Sequence, residues 1–87
     1  MKIIRISAIW CGSCIGMKNV WNEIVKTNDL DITNYDYDID TDMVKKYNIG
    51  KILPVSIFLN KEEEVERLIG EISYNKLIET INKYRGF

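Results

Sequence analysis

Cys11 and Cys14 are the only thiols in the 87-residue chain, and they sit within Trp10-Cys11-Gly12-Ser13-Cys14. Thiols at this spacing close a small disulfide ring with little rearrangement, so the pair can cycle between dithiol and disulfide. A ring with only Gly12 and Ser13 between its cysteines takes little entropy from the unfolded chain and makes a poor staple. The spacing points to redox exchange rather than structural cross-linking. Metal binding is a weaker reading, because one Cys-x-x-Cys in a chain without histidine offers two soft ligands where zinc generally takes four. Asp36, Asp38, Asp40 and Asp42 are spaced acids, but they lack the central glycine and terminal bidentate acid of a calcium loop. They read as a solvated strand edge and helix cap, and no metal site is expected.

Something must hold the two thiols at a reactive end of the fold. The length allows one domain, residues 1–87, with a core near the lower limit for independent folding. Apolar residues at 46% and charged residues at 29% fit a globular protein, and a net charge of -1 argues against nucleic acid as a partner. The first ten residues are interrupted by Lys2, Arg5 and Ser7, too short and broken a stretch for a signal peptide or membrane span. The expectation is a cytoplasmic protein with no membrane association, where a lone cysteine pair is catalytic more often than structural.

Ile3 to Ile9 is a β-branched run of strand length. Met17, Val20, Trp21, Ile24 and Val25 fall on one face of a helix from about Gly12 to Lys26, so the cysteines lie at a strand-to-helix junction. Tyr35, Tyr37 and Ile39 alternate with Asn34, Asp36, Asp38 and Asp40, which predicts a second strand. Asp40 or Thr41 caps a short helix with Met43, Val44 and Tyr47 inward, ended by Asn48 to Gly50. Pro54 opens the strand Val55 to Leu59, Asn60 to Glu63 turns, and Val65 to Ile69 returns as a hairpin partner stopped by Gly70. Ser73 caps a last helix with Tyr74, Leu77, Ile78 and Ile81 on one face. The two helical connections imply parallel pairing in the first half, and the short turn implies an antiparallel hairpin in the second. The fold class is therefore α/β, β-α-β-α-β-β-α, a four-stranded mixed sheet flanked by three helices.

Trp-Cys-Gly-Ser-Cys resembles the thioredoxin active site, with Ser13 where the family has proline. The resemblance extends along the chain through Ala8, Ile39-Asp40, Lys46-Tyr47, Ile49, Pro54 and Gly70, in the family's order. It implies a minimal thioredoxin-like fold, without the extra amino-terminal strand and helix of ordinary thioredoxins and so close in outline to glutaredoxin. Placed at the mouth of a helix, Cys11 has its thiolate favoured by unpaired N–H groups and is the nucleophile. Cys14, one turn inside and expected to be the more buried, is the resolving thiol. Gly12 leaves the approach open, and Ser13 restores an N–H that proline would remove. Family members place a cis proline beside the cysteines, which implies cis geometry at Pro54 and substrate pairing with the backbone of Leu53. The implied substrate surface is Trp10, Ile52, Leu53, Pro54, Ile69 and Gly70.

Aligned on the cysteines, Arg5 stands where the family has a buried aspartate; aligned through Ile39-Asp40, Asp36 stands where it has the facing lysine. This exchange of charges suggests an Arg5–Asp36 ion pair beneath the cysteines; the alternative is that Arg5 reaches solvent and Asp36 is one of several surface acids. The resemblance implies a monomeric protein-disulfide reductase with no bound cofactor beyond its reversible Cys11–Cys14 disulfide, recharged by a flavin-dependent reductase. Two alternatives stand beside it: a glutaredoxin-like protein recharged by glutathione, and a non-catalytic binding module using the same fold.

Overall fold

The computed structural model describes residues 1–85. Its elements are β1 (Lys2–Ser7), α1 (Gly12–Thr27), β2 (Asp31–Asp36), α2 (Thr41–Lys46), β3 (Val55–Asn60), β4 (Glu63–Ile69) and α3 (Tyr74–Tyr84). The strands form one sheet in the order β2-β1-β3-β4, with β1 parallel to β2 and the pairs β1–β3 and β3–β4 antiparallel. The seven-element order and the mixed four-stranded sheet are those read from the sequence.

Alternation along the two central strands builds a core on each side of the sheet. Ile3 and Phe58 face α1 and α3, where they pack with Met17, Trp21, Ile24, Leu68, Leu77 and Ile81. Ile4, Ile6, Val55, Ile57 and Leu59 face the other way with Ala8, Cys11 and Leu53, partly covered by Val44, Tyr47 and Ile49. Because both faces of β1 and β3 are covered, these strands are nearly continuous apolar runs. Arg5 interrupts the α1 side of β1, paired across the sheet with Asn34 and Ser56.

Several expectations are corrected. The second connection gives no parallel partner: β3 starts opposite the end of β1, Val55 pairing with Ile6, so residues 37–54 leave the sheet and return to it at the same end. That geometry delivers Pro54 to the end where the cysteines lie. The second strand lies earlier than its alternating residues suggest, because the Asp36 carboxylate accepts the N–H groups of Asp38 and Ile39 at 2.8 and 3.0 Å and bends the chain out of the sheet. Tyr37 and Ile39 are therefore turn residues, and Ile39 is exposed. Similarly β1 ends at Ser7, since the Cys11 N–H donates to the Ala8 carbonyl at 3.1 Å and turns the chain. On the helices, Val25 and Tyr74 are exposed rather than inward, and α3 buries Leu77, Thr80, Ile81 and Tyr84.

The hairpin between β3 and β4 turns on Lys61 and Glu62, both with positive φ (53° and 68°), so Glu63 and Glu64 belong to β4 rather than to the turn. Gly70, at φ 88°, ends β4 and donates its N–H to the Pro54 carbonyl at 2.8 Å. A side chain there would be strained by the backbone conformation itself.

Candidate active site

Cys11 is the N-cap of α1, with extended backbone (φ -88°, ψ 110°). Its Sγ accepts the Cys14 N–H at 3.2 Å, taking the place an Asx or Ser oxygen fills at ordinary helix starts. The local fold explains this: the Ala8–Cys11 turn redirects the chain from β1 into the first turn of α1. An anionic sulfur at this position faces the positive end of the helix.

The relative burial of the two thiols is the reverse of the sequence expectation. Cys11 is buried, 7% exposed, packed with Ala8, Leu53 and Val55, while Cys14 is half-buried and opens on a cavity. The reason is the cap geometry, which turns the Cys11 sulfur inward toward the Cys14 N–H. Burial pushes the Cys14 thiol up to about 11, helped by its hydrogen bond with Cys11 and pulled part of the way back by backbone N–H contacts at Ala8 and Cys14. The two sulfurs thus share a hydrogen bond and lie where exchange between them needs only a small movement.

The Leu53–Pro54 peptide is cis. Pro54 lines the cavity beside Cys14, and Leu53 packs against Cys11, so the fold brings this loop to the cysteine pair. The Gly70-to-Pro54 hydrogen bond sets Ile69-Gly70 beside the same loop, and Ile52 and Ile69 are exposed there. Gly12 borders open space, so its missing side chain leaves the approach uncovered rather than relieving a clash. Ser13 is half-buried in the first turn of α1.

Trp10 is 59% exposed, yet its position is fixed. The indole N–H donates to Asp38 Oδ2 at 2.6 Å, and the ring meets Tyr37 edge-on at 6.0 Å. Asp38 is the residue that sequence reasoning missed as a site residue. It was indistinguishable there from its acidic neighbours, and only the bend at Asp36 sets it against Trp10. Ile9 and Ile15 were missed as well; both are exposed and border the same cavity as Cys14. Exposed isoleucines flanking a redox motif are the signal that would have found them.

The Arg5–Asp36 ion pair is corrected. Asp36 lies opposite Ser7 in the β1–β2 register, and its carboxylate is engaged with the turn. Arg5 lies opposite Asn34, and among the described residues it forms no ion pair. Its guanidinium instead stacks on Trp21, 4.7 Å from the ring centroid. Burial alone moves its pKa down. Both Arg5 and Asp36 do line the cavity that Cys14 opens on, which has a volume of about 370 Å³.

Among the described residues, no group of three or more histidine, cysteine, aspartate or glutamate side chains is placed to hold a metal. Among the described residues, no helix is long and apolar enough to cross a membrane either.

A cysteine capping the helix that follows the first strand, a second cysteine one turn on, and a cis proline delivered to the same edge define a thioredoxin-fold protein with a Cys-x-x-Cys redox centre. The family model for thioredoxin matches residues 1–83, and the chain belongs to the thioredoxin family. Among solved structures, thioredoxin 1 from Thermosipho africanus TCF52B is 28% identical with a TM-score of 0.85, the match covering 99% of this chain and 96% of that one. Thioredoxin NaTrxh from Nicotiana alata is 30% identical with a TM-score of 0.82, over 95% of this chain and 73% of that one. The reduced thioredoxin pre-protein of Schistosoma mansoni is 27% identical with a TM-score of 0.85, over 94% of this chain and 76% of that one.

Proposed function

We propose that this protein is a dithiol–disulfide oxidoreductase that reduces disulfides in other proteins. The observation that carries the proposal is the cap geometry: Cys11 at the start of α1, its sulfur in hydrogen-bond contact with the Cys14 N–H, and Pro54 alongside. Cys11 attacks a substrate disulfide as the thiolate, forming a mixed disulfide and releasing one substrate sulfur, which takes up a proton. Cys14 then loses its proton, and its thiolate attacks the Cys11 sulfur. The Cys11–Cys14 disulfide forms, the bond to substrate breaks, and the second substrate sulfur leaves to be protonated. Two electrons pass from the protein to the substrate, and the pair is left oxidised.

Trp10, Ile52, Leu53, Pro54, Ile69 and Gly70 form the surface for an extended substrate segment, with exposed apolar side chains on both sides of the thiol pair supporting that reading. A flavin-dependent reductase recharges the disulfide, and the protein works as a cytoplasmic monomer without a bound cofactor. The test is Cys14→Ser. Without a resolving thiol, the variant should accumulate a mixed disulfide between Cys11 and a disulfide-bonded protein substrate, visible on a non-reducing gel, while Cys11→Ser accumulates none. Turnover of substrate by the double serine variant would sink the proposal.

A further inference from the structure

The resolving step requires Cys14 to give up a proton that its surroundings hold firmly. The charged and titratable groups lining its cavity come from three elements: Arg5 from β1, Lys18 from α1 and Asp36 from the end of β2; the β3 side contributes Ser56, and Cys11 is the titratable neighbour. Asp36 spends one carboxylate oxygen on two backbone N–H groups. Lys18 is exposed, so water screens its charge. Arg5 is half-buried, without an ion-pair partner among the described residues, and is held in place by the Trp21 ring. Trp21 and Met17 follow Cys14 along the cavity-lining side of α1, so the ring that fixes Arg5 and the resolving thiol belong to one helix face.

We propose that Arg5 is a positioning residue for the resolving step, its guanidinium charge, in no ion pair among the described residues, favouring the Cys14 thiolate across the shared cavity against the opposing charge of Asp36. The inference rests on Cys11 and Cys14 acting as nucleophile and resolving thiol. In the step concerned, the Cys14 proton passes to water in the cavity. The thiolate then attacks the Cys11 sulfur of the mixed disulfide, and the substrate sulfur leaves with the electron pair of the broken bond. Arg5 gains and loses nothing; it lowers the free energy of the charged form. For a charge acting through a partly solvated cavity, removing it should raise the Cys14 titration by about half a unit to one unit. A more basic thiolate is also more nucleophilic, so the net slowing near neutral pH is roughly two- to fourfold.

The experiment is a stopped-flow reaction of the reduced protein with dithiodipyridine, an uncharged disulfide that makes no ion pair with Arg5. Attack by Cys11 releases the first thiopyridone, and resolution by Cys14 releases the second. Arg5→Gln should leave the first release unchanged, slow the second, and move its pH midpoint upward. Arg5→Lys, which keeps the charge and loses the planar stack, should restore most of the second rate. Lys18→Gln should have a smaller effect than Arg5→Gln. In the unsubstituted protein, added salt should raise the midpoint of the second phase, a measurement that stands even if Arg5→Gln fails to fold. A second phase insensitive to both Arg5→Gln and salt would overturn the inference, as would loss of melting temperature with an unchanged pH profile. Absence of the first release would instead refute the thiol chemistry on which it rests.

Discussion

Asp38→Ala removes the acceptor that fixes an exposed tryptophan next to Cys11. Trp10 is 59% exposed, so burial alone holds it weakly, and its orientation depends on the 2.6 Å hydrogen bond to Asp38 and the edge contact with Tyr37. A hydrogen bond to a charged group contributes about 1.5–3 kcal/mol net, and exposure to water brings this one to about 1 kcal/mol. The Tyr37 contact, about 0.5–1.5 kcal/mol, remains and limits how far the ring strays. If Trp10 guides the substrate segment, losing about 1 kcal/mol of preorganisation lowers kcat/KM roughly fivefold. The assay is reduction of insulin with dithiothreitol as the electron source, run beside the dithiodipyridine reaction. Kcat/KM for insulin should fall while the first thiopyridone release is unchanged, because the small reagent needs no guiding surface. Asp38→Asn keeps an acceptor oxygen and should lie within twofold of the parent. Equal insulin kinetics for Asp38→Ala and the parent would refute the reasoning, as would an equal loss with the small reagent, which places the effect on the thiol itself.

Two further outcomes follow from burial and charge. The Cys14 thiol is held up at about 11 in the folded protein against an ordinary 9.0, so the folded state retains a proton that the unfolded chain gives up. The stability this contributes is present below pH 9 and lost as pH rises toward 11. Thermal unfolding of the reduced protein should therefore fall over that window. The disulfide form, with no thiol to titrate, should not show this component. Leu77 is fully buried where α3 meets the sheet, and Leu77→Ala should cost about 2–5 kcal/mol, read as a lower denaturant midpoint. A domain of this size has about 5–15 kcal/mol in total, so a loss below about 1 kcal/mol would mean that α3 contributes little to the core.

The elements and their order were legible because each carries a local signal. The β-branched run of β1, the helical spacing of Met17, Trp21 and Ile24, and Ser73 capping α3 through the Lys76 N–H at 3.2 Å depend mainly on near neighbours in the chain. The cysteine spacing likewise declared a reversible disulfide before any fold was known. The signal failed where a side chain competes with the backbone ladder. The tyrosine alternation at residues 35–39 looked like strand, but the Asp36 carboxylate captured two N–H groups and turned the chain.

Tertiary structure decided which groups meet. Whether Arg5 pairs with Asp36 or stacks on Trp21 depends on the register of β1 with β2 and the approach of α1, neither of which is encoded within either segment alone. The Trp10–Asp38 bond spans 28 residues, and the burial of Cys11 beneath Leu53 joins segments that only the sheet's end brings together. The sequence alone determined the chemistry available, a dithiol at a helix mouth, because it is written in adjacent residues. The electrostatic setting of those thiols was decided by the fold, because charge and burial act through space rather than along the chain.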